Sequence, residues 1–127
     1  MDLRYHHVSR STGDLERLLA FYTALGCTLE KRVRDEAQRL DRAVLRLPGS
    51  DAHLQLIERE SGPVAPPAPD WPDHLAFHTS NFDVALSGLT AAGGRLEREP
   101  YRLSPDSGRI AFVLDPDGHR VELVEKA

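Results

Sequence analysis

The chain repeats itself at a fixed interval, and this constrains its fold more than any other feature. Residues 67 apart match at His7 and His74, Thr12 and Thr79, Leu19 and Leu86, Thr23-Ala24 and Thr90-Ala91, and Gly26 and Gly93. The step continues through Leu29-Glu30 and Leu96-Glu97, Arg42 and Arg109, Leu47 and Leu114, Leu56 and Leu123, and Glu58 and Glu125. Twelve of the fifty-two positions in 7–58 are identical to their partners in 74–125. A single gapless offset that also keeps apolar pattern and turn positions predicts two copies of one supersecondary unit.

Each copy reads as β-α-β-β-β. Tyr5–Ser9 and His74–Thr79 are the entering strands. Leu15, Leu18, Leu19, Tyr22 and Leu25 recur at one-face helical spacing, and Phe82, Ala85, Leu86, Leu89 and Ala92 repeat the pattern 67 residues on. Asp14 and Asn81 are placed to cap these helices, and Gly26 and Gly93 to end them in a left-handed turn. Strands are expected at Leu29–Arg34, Arg42–Leu47 and His53–Glu58, then at Arg95–Tyr101, Arg109–Leu114 and His119–Glu125. Their last turns are Pro48-Gly49-Ser50-Asp51 and Asp115-Pro116-Asp117-Gly118. The expected division is a first module over 1–60, a proline-rich linker over 61–73 and a second module over 74–127. Pro63, Pro66, Pro67, Pro69 and Pro72 make that linker a spacer and not a strand. One helix covers only one face of a sheet, so two such modules, side by side or from two chains, would curve around a shared cavity. The fold class is α+β.

At 127 residues the chain has room for one compact domain built from the two repeats. A net charge of −4 lacks the basic excess of a nucleic-acid binder, and no apolar run approaches the ~20 residues of a membrane helix. The first residues lack the apolar core of a secretory signal, and one cysteine, Cys27, cannot form an internal disulfide. A cytoplasmic protein acting on a small molecule is the expectation, with neither nucleic acid nor membrane as partner. Cys27 carries no cue for activation and reads as a buried, inert thiol.

Chemistry concentrates at repeat-related strand positions. His7 and Gln55 in the first copy correspond to His74 and Glu122 in the second. Two imidazoles, a carboxylate and an amide oxygen make a donor set for a divalent metal, with Ni, Zn, Co, Mn and Fe all suited. Singly, each has a plainer role: a strand histidine is usually structural, and Glu122, between Val121 and Leu123, could face solvent. The shared positions favour the metal site. His6 is expected to point away from His7, on the opposite face. His53, His78 and His119 lack partners of ligand type and read as surface or wall residues. Arg10, Arg42, Arg109 and Arg120 are candidate contacts for an anionic substrate, with solvated strand charge as the default.

At His7-Val8, Asp14-Leu15, Phe21-Tyr22, Leu25-Gly26 and Asp115-Pro116-Asp117-Gly118-His119-Arg120-Val121-Glu122-Leu123, the chain resembles the vicinal oxygen chelate superfamily of glyoxalases, dioxygenases and bleomycin-resistance proteins. The resemblance implies paired βαβββ modules in a curved mixed sheet, a metal at His7, Gln55, His74 and Glu122, and a homodimer. The closing segment, Phe112 to Glu125, is most similar to glyoxalase I, the lactoylglutathione lyase. That likeness implies a lyase or isomerase reaction in which Glu122 is both ligand and base for proton transfer through an enediolate. Bacterial glyoxalase I carries glutamate where this chain has Gln55, and its glutathione-binding arginine falls at Ser11, with Arg10 one residue out of phase. The set His, Gln, His, Glu is similar to methylmalonyl-CoA epimerase, although its further base position here holds Gln38. A drug-binding or resistance protein of the same fold is the alternative of another class.

Overall fold

The computed structural model describes residues 2–64 and 73–126. The chain divides into two compact units, residues 1–65 and 66–127. In the first, β1 (His7–Ser11) leads through α1 (Leu15–Leu25) to β2 (Thr28–Asp35), β3 (Leu40–Arg46) and β4 (His53–Arg59). In the second, β5 (His74–Thr79) and α2 (Phe82–Ala91) precede β6 (Arg95–Leu96), β7 (Ile110–Leu114) and β8 (Arg120–Glu125). Each unit forms a mixed four-stranded sheet, ordered β1-β4-β3-β2 in one and β5-β8-β7-β6 in the other. The first and last strands pair in parallel and the remaining neighbours antiparallel. This is the expected βαβββ pattern in duplicate. Pro66, Pro67, Pro69 and Pro72 of the expected linker lie outside the described residues.

The helix ends follow side-chain chemistry. Asp14 Oδ1 accepts from the Arg17 amide at 3.1 Å, and Glu58 Oε1 reaches from β4 to accept from the Leu15 amide at 2.6 Å. Two orphan donors of α1 are thereby satisfied. Gly26 ends the helix with φ 109°, a conformation costly for any residue with a Cβ, while the Cys27 amide donates back to Tyr22 O. In α2, Asn81 holds the cap position without a capping side-chain bond, and its own amide donates to Thr79 Oγ1.

The helices cover one face of each sheet. Leu15, Leu18, Leu19, Phe21 and Tyr22 of α1 are buried, as are Ala43, Leu45, Leu54 and Leu56 of the strands. Phe21 widens the expected stripe, its ring meeting Tyr22 edge-on at 5.0 Å. Arg10, expected as a solvated charge, is instead only 8% exposed, its guanidinium donating to the Tyr22 hydroxyl. Strand alternation explains this, because Arg10 shares a face with Val8 and lies opposite Leu56. Phe82 and Leu89 of α2 are buried, as are Ala111, Val113, Val121 and Leu123. Burial of Cys27 pushes its thiol up to about 12, which leaves it an inert core group.

Three sequence expectations are corrected. The first strand begins at His7 and not Tyr5, and His6, exposed as its place beside His7 suggests, turns its ring towards His7 and His53 and not away from them. Its Nδ1 stands 2.7 Å from His7 Nδ1. The expected strand Arg95–Tyr101 is interrupted: pairing runs through Arg95, Leu96 and the Glu97 amide, then resumes as a single bridge between Tyr101 and Ile110. Pro100, which has no amide proton, lies in the gap. Finally, the 67-residue interval does not hold throughout. Gln55 and Glu122 are 67 apart, yet the residues opposite them, Val44 and Phe112, are 68 apart. Pro48 and Pro116, also 68 apart, are the side chains that a Cβ at Gly26 and at Gly93 would meet. Arg42 and Arg109 are therefore not equivalent in the fold, nor are Leu47 and Leu114. The turn before β4 is one residue longer than its counterpart and restores the interval.

Arg109 knits the second unit together. It donates to both carboxylate oxygens of Glu125, at 3.1 and 2.7 Å, and to Asp83 at 3.0 and 3.2 Å, and lies over the Phe82 ring. These side-chain bonds, with a further one from the Arg109 amide, lower the Glu125 carboxyl from its ordinary 4.5 to about 2. A depressed carboxylate adds stability that is complete above about pH 4.5 and is lost as pH falls towards 2. Acid unfolding of Glu125→Gln followed by circular dichroism is expected to show a flatter stability profile over that window than the unsubstituted protein. Gly108 tests the same corner: a Cβ there would lie 2.1 Å from Glu125 O. Gly108→Ala is expected to cost about 1–3 kcal/mol, read as a lowered melting temperature.

Candidate metal centre

Opposite its helix, each sheet leaves an open face carrying the polar strand residues. In the second unit β5 contributes His74, Ala76 and His78 to that face, and β8 contributes Arg120, Glu122 and Val124. Ala76 lies directly opposite Glu122, so His74 and Glu122 meet on the diagonal. His74 Nε2 stands 3.2 Å from Glu122 Oε1, and both side chains remain partly accessible. With metal–ligand bonds of about 2.0–2.2 Å, neighbouring donors around one ion stand roughly 3.0–3.5 Å apart. The pair therefore fits an edge of a coordination shell, a cation taking the place of the shared proton.

The first unit gives its candidates the same register. His7 lies opposite His53 and Ser9 opposite Gln55, so His7 and Gln55 are also diagonal neighbours. Their surroundings differ from the second unit. His7 Nδ1 is engaged by His6 Nδ1, and Gln55 is half-buried in the pairing with Val44. His53 binds Glu30 through Nε2, leaving a buried Nδ1 without a hydrogen-bond partner among the described residues. Glu30 also accepts from Arg46 at 2.8 Å, and these two bonds hold its carboxyl below the usual range. Among the described residues, no three His, Cys, Asp or Glu side chains gather at one point where an ion would fit. The geometry thus joins His74 with Glu122 and relates His7 to Gln55 by register.

The remaining expectations separate cleanly. His78 is exposed on the open face, four residues along β5 from His74. His119 is held at the backbone: its amide donates to Asp115 Oδ1 at 2.9 Å, as does the Asp117 amide. Asp115 itself is 3% exposed, and Gly118 supplies the left-handed residue at φ 93°. This turn aims β8 back against β7 and so sets which of its residues faces outward. Of the candidate anion contacts, Arg109 is taken by Glu125 and Asp83. Arg120 is taken by Glu97, with Nε donating to Oε2 at 2.8 Å and Nη2 to Oε1 at 3.1 Å. Two participants on the open face were not anticipated: Glu97 and Phe112. Glu97 was visible as the identical partner of Glu30, whereas the register slip in β7 concealed Phe112.

Fold and strand placement together define a duplicated βαβββ protein of the glyoxalase type. Residues 4–123 match the Glyoxalase/Bleomycin resistance protein/Dioxygenase superfamily, and the chain belongs to that superfamily. It is 30% identical over 126 residues to a lactoylglutathione lyase of Salmonella typhimurium, covering 97% of this chain and 93% of that one. A lactoylglutathione lyase of Arabidopsis thaliana is 28% identical over 125 residues, and the chain spans only 44% of its length. A glyoxalase family protein of known structure from Bacillus cereus superposes with a TM-score of 0.81 at 22% identity, covering 98% of this chain and 95% of that one, and shares the fold. No helix among the described residues is long and apolar enough to cross a membrane.

If His74 is a ligand and His78 is not, their alanine variants will differ. His74→Ala is expected to lose most bound metal by elemental analysis after reconstitution, and His78→Ala to keep it.

Proposed function

We propose that the protein is a divalent-metal-dependent lyase or isomerase of the glyoxalase I type, moving a proton beside a carbonyl or thioester through an enediolate. The contact between His74 and Glu122 is the observation that carries this reading. It places a carboxylate able to exchange protons beside an imidazole donor, on an open sheet face and at strand positions where the first unit offers His7 and Gln55. The names of the relatives support the same class of reaction. The reading requires His7, Gln55, His74 and Glu122 to serve one ion, with two donors from each unit, within one chain or across a homodimer.

A cation held there supplies Lewis-acid stabilisation of the negative charge that develops on the substrate oxygens. The protein supplies the rest. Glu122 accepts the proton from the carbon beside the carbonyl and returns it to the neighbouring carbon on the same face, whereas an epimerisation would need a second acid on the far face. His74, whose Nε2 lies beside Glu122 in the free protein, would hold the cation next to that carboxylate while the proton moves. Because Glu122 lies in register opposite Phe112 and Ala76, the substrate carbon would meet it beside two apolar side chains.

The test is reconstitution with Ni2+, Zn2+, Co2+ and Mn2+, elemental analysis, and assay with the hemithioacetal of methylglyoxal and glutathione and with methylmalonyl-CoA. About one ion per pair of units and turnover of either compound are expected. Glu122→Gln is expected to retain part of the metal and to lower kcat by 100-fold or more, the loss typical of a removed general base. Unchanged kcat would remove Glu122 from the reaction. A protein that binds no metal yet retains small ligands would belong to the binding branch of the fold.

A further inference from the structure

We propose that the Glu97–Arg120 ion pair is a positioning device for His74, acting through the ring of Phe112; this rests on the metal-centre reading above. Four contacts form one continuous row on the open face of the second sheet. Glu97 grips the Arg120 guanidinium with two hydrogen bonds, at 2.8 and 3.1 Å. The guanidinium lies 4.3 Å from the centroid of the Phe112 ring. Phe112 meets the His74 imidazole edge-on, with centroids 5.1 Å apart and planes at 82°. His74 Nε2 then reaches Glu122 at 3.2 Å. Strand register holds the row together, since Arg120 is directly opposite His74 and Phe112 directly opposite Glu122.

The physical need is specific. An imidazole on an open strand face turns about a broad terminal torsion, and a turned ring offers its partner a different edge. Groups that fix ligand orientation decide metal affinity nearly as much as the ligands do. Arginine suits the role because its planar fork takes a carboxylate bidentately while its face stacks on an aromatic ring. Glu97 neutralises the Arg120 charge, which argues for a strut and against a receptor for a substrate anion. The duplication supplies an independent observation. Glu30 and His53, 67 residues before Glu97 and Arg120, form a carboxylate–imidazole contact at the corresponding positions of the first unit, and His53 lies directly opposite His7.

The experiment uses the full chain with Co2+ as the probe. Glu97→Gln and Arg120→Gln are expected to weaken Co2+ binding by about 10-fold or more in calorimetric titration and to shift the visible Co2+ bands. Arg120→Lys, which keeps the charge and loses the fork, is expected to recover only part of the affinity. Arg39→Gln, which removes the exposed Arg39–Glu60 ion pair of the first unit, is expected to match the unsubstituted protein. In the metal-free protein, the His74 side-chain nitrogen resonances are expected to report one fixed ring, and an averaged ring in Arg120→Gln. Folded variants with unchanged Co2+ affinity and unchanged His74 resonances would overturn the proposal. Failure of the unsubstituted protein to bind Co2+ would defeat the metal reading alone. The resonances of the metal-free protein would then decide the positioning role, identical spectra defeating it. Should Arg120→Gln fail to fold, Glu97→Gln and Arg120→Lys carry the same comparison.

Discussion

The parallel pairing of first and last strands is the constraint on which the candidate chemistry depends. β8 enters between β5 and β7, so a residue near the start of the unit is laid beside one near its end. Side chains alternate between the faces, and a slip of one residue would turn Glu122 into the core and Val121 out of it. The register is enforced from both sides. Val121 and Leu123 are buried beneath α2, and the Asp115 carboxylate fixes the turn that starts β8 by accepting two backbone amides. Apolar burial worth about 1.5–3 kcal/mol per side chain thus holds a polar pair that contributes little to stability itself.

Much of this was legible in the sequence because it is written in local signals. Helix periodicity, caps and the Asp-Pro-Asp-Gly turn each act within a few residues, and α1 spans Leu15–Leu25 as its apolar spacing predicts. What escaped prediction depends on pairing between distant strands. The one-residue displacement of β7 is invisible to a ruler laid along the chain, because compensating loop lengths before and after it restore the interval. Arg42 and Arg109 matched as letters while occupying different places in the sheet. Of the candidate donors, alternation and the repeat put His74 and Glu122 at positions matching His7 and Gln55, while their diagonal contact rests on the β5–β8 register. The Glu97–Arg120–Phe112 row was not legible either, since it links three strands whose register is a tertiary property.

The two units use one scaffold for unequal purposes. Corresponding positions hold Gln55 and Glu122, His53 and Arg120, and Val44 and Phe112. In the first unit Glu58 caps α1 through the Leu15 amide, whereas its counterpart Glu125 is committed to Arg109. A duplicated backbone therefore preserves register more strictly than it preserves side-chain role. The carboxylates at 30 and 97 are an exception, each engaging a cationic or protonatable side chain on its unit's last strand.

This inequality has a consequence for the proposed centre. With Gln55 in place of a second carboxylate, the donor set carries one negative charge against a divalent ion and so keeps a net positive charge. Such a centre stabilises a developing oxygen anion more strongly than a neutral one, and it holds its ion less tightly. Glu122 is then asked to be the only anionic donor and also the group that accepts the substrate proton. Protonating it would remove the one negative charge of the donor set while charge builds on the substrate. Under those demands a neutral donor beside Glu122 gains importance, because a neutral donor would keep its charge state while Glu122 changes its own. His74 occupies that position, and it is the candidate donor whose ring packs on the Phe112–Arg120–Glu97 row.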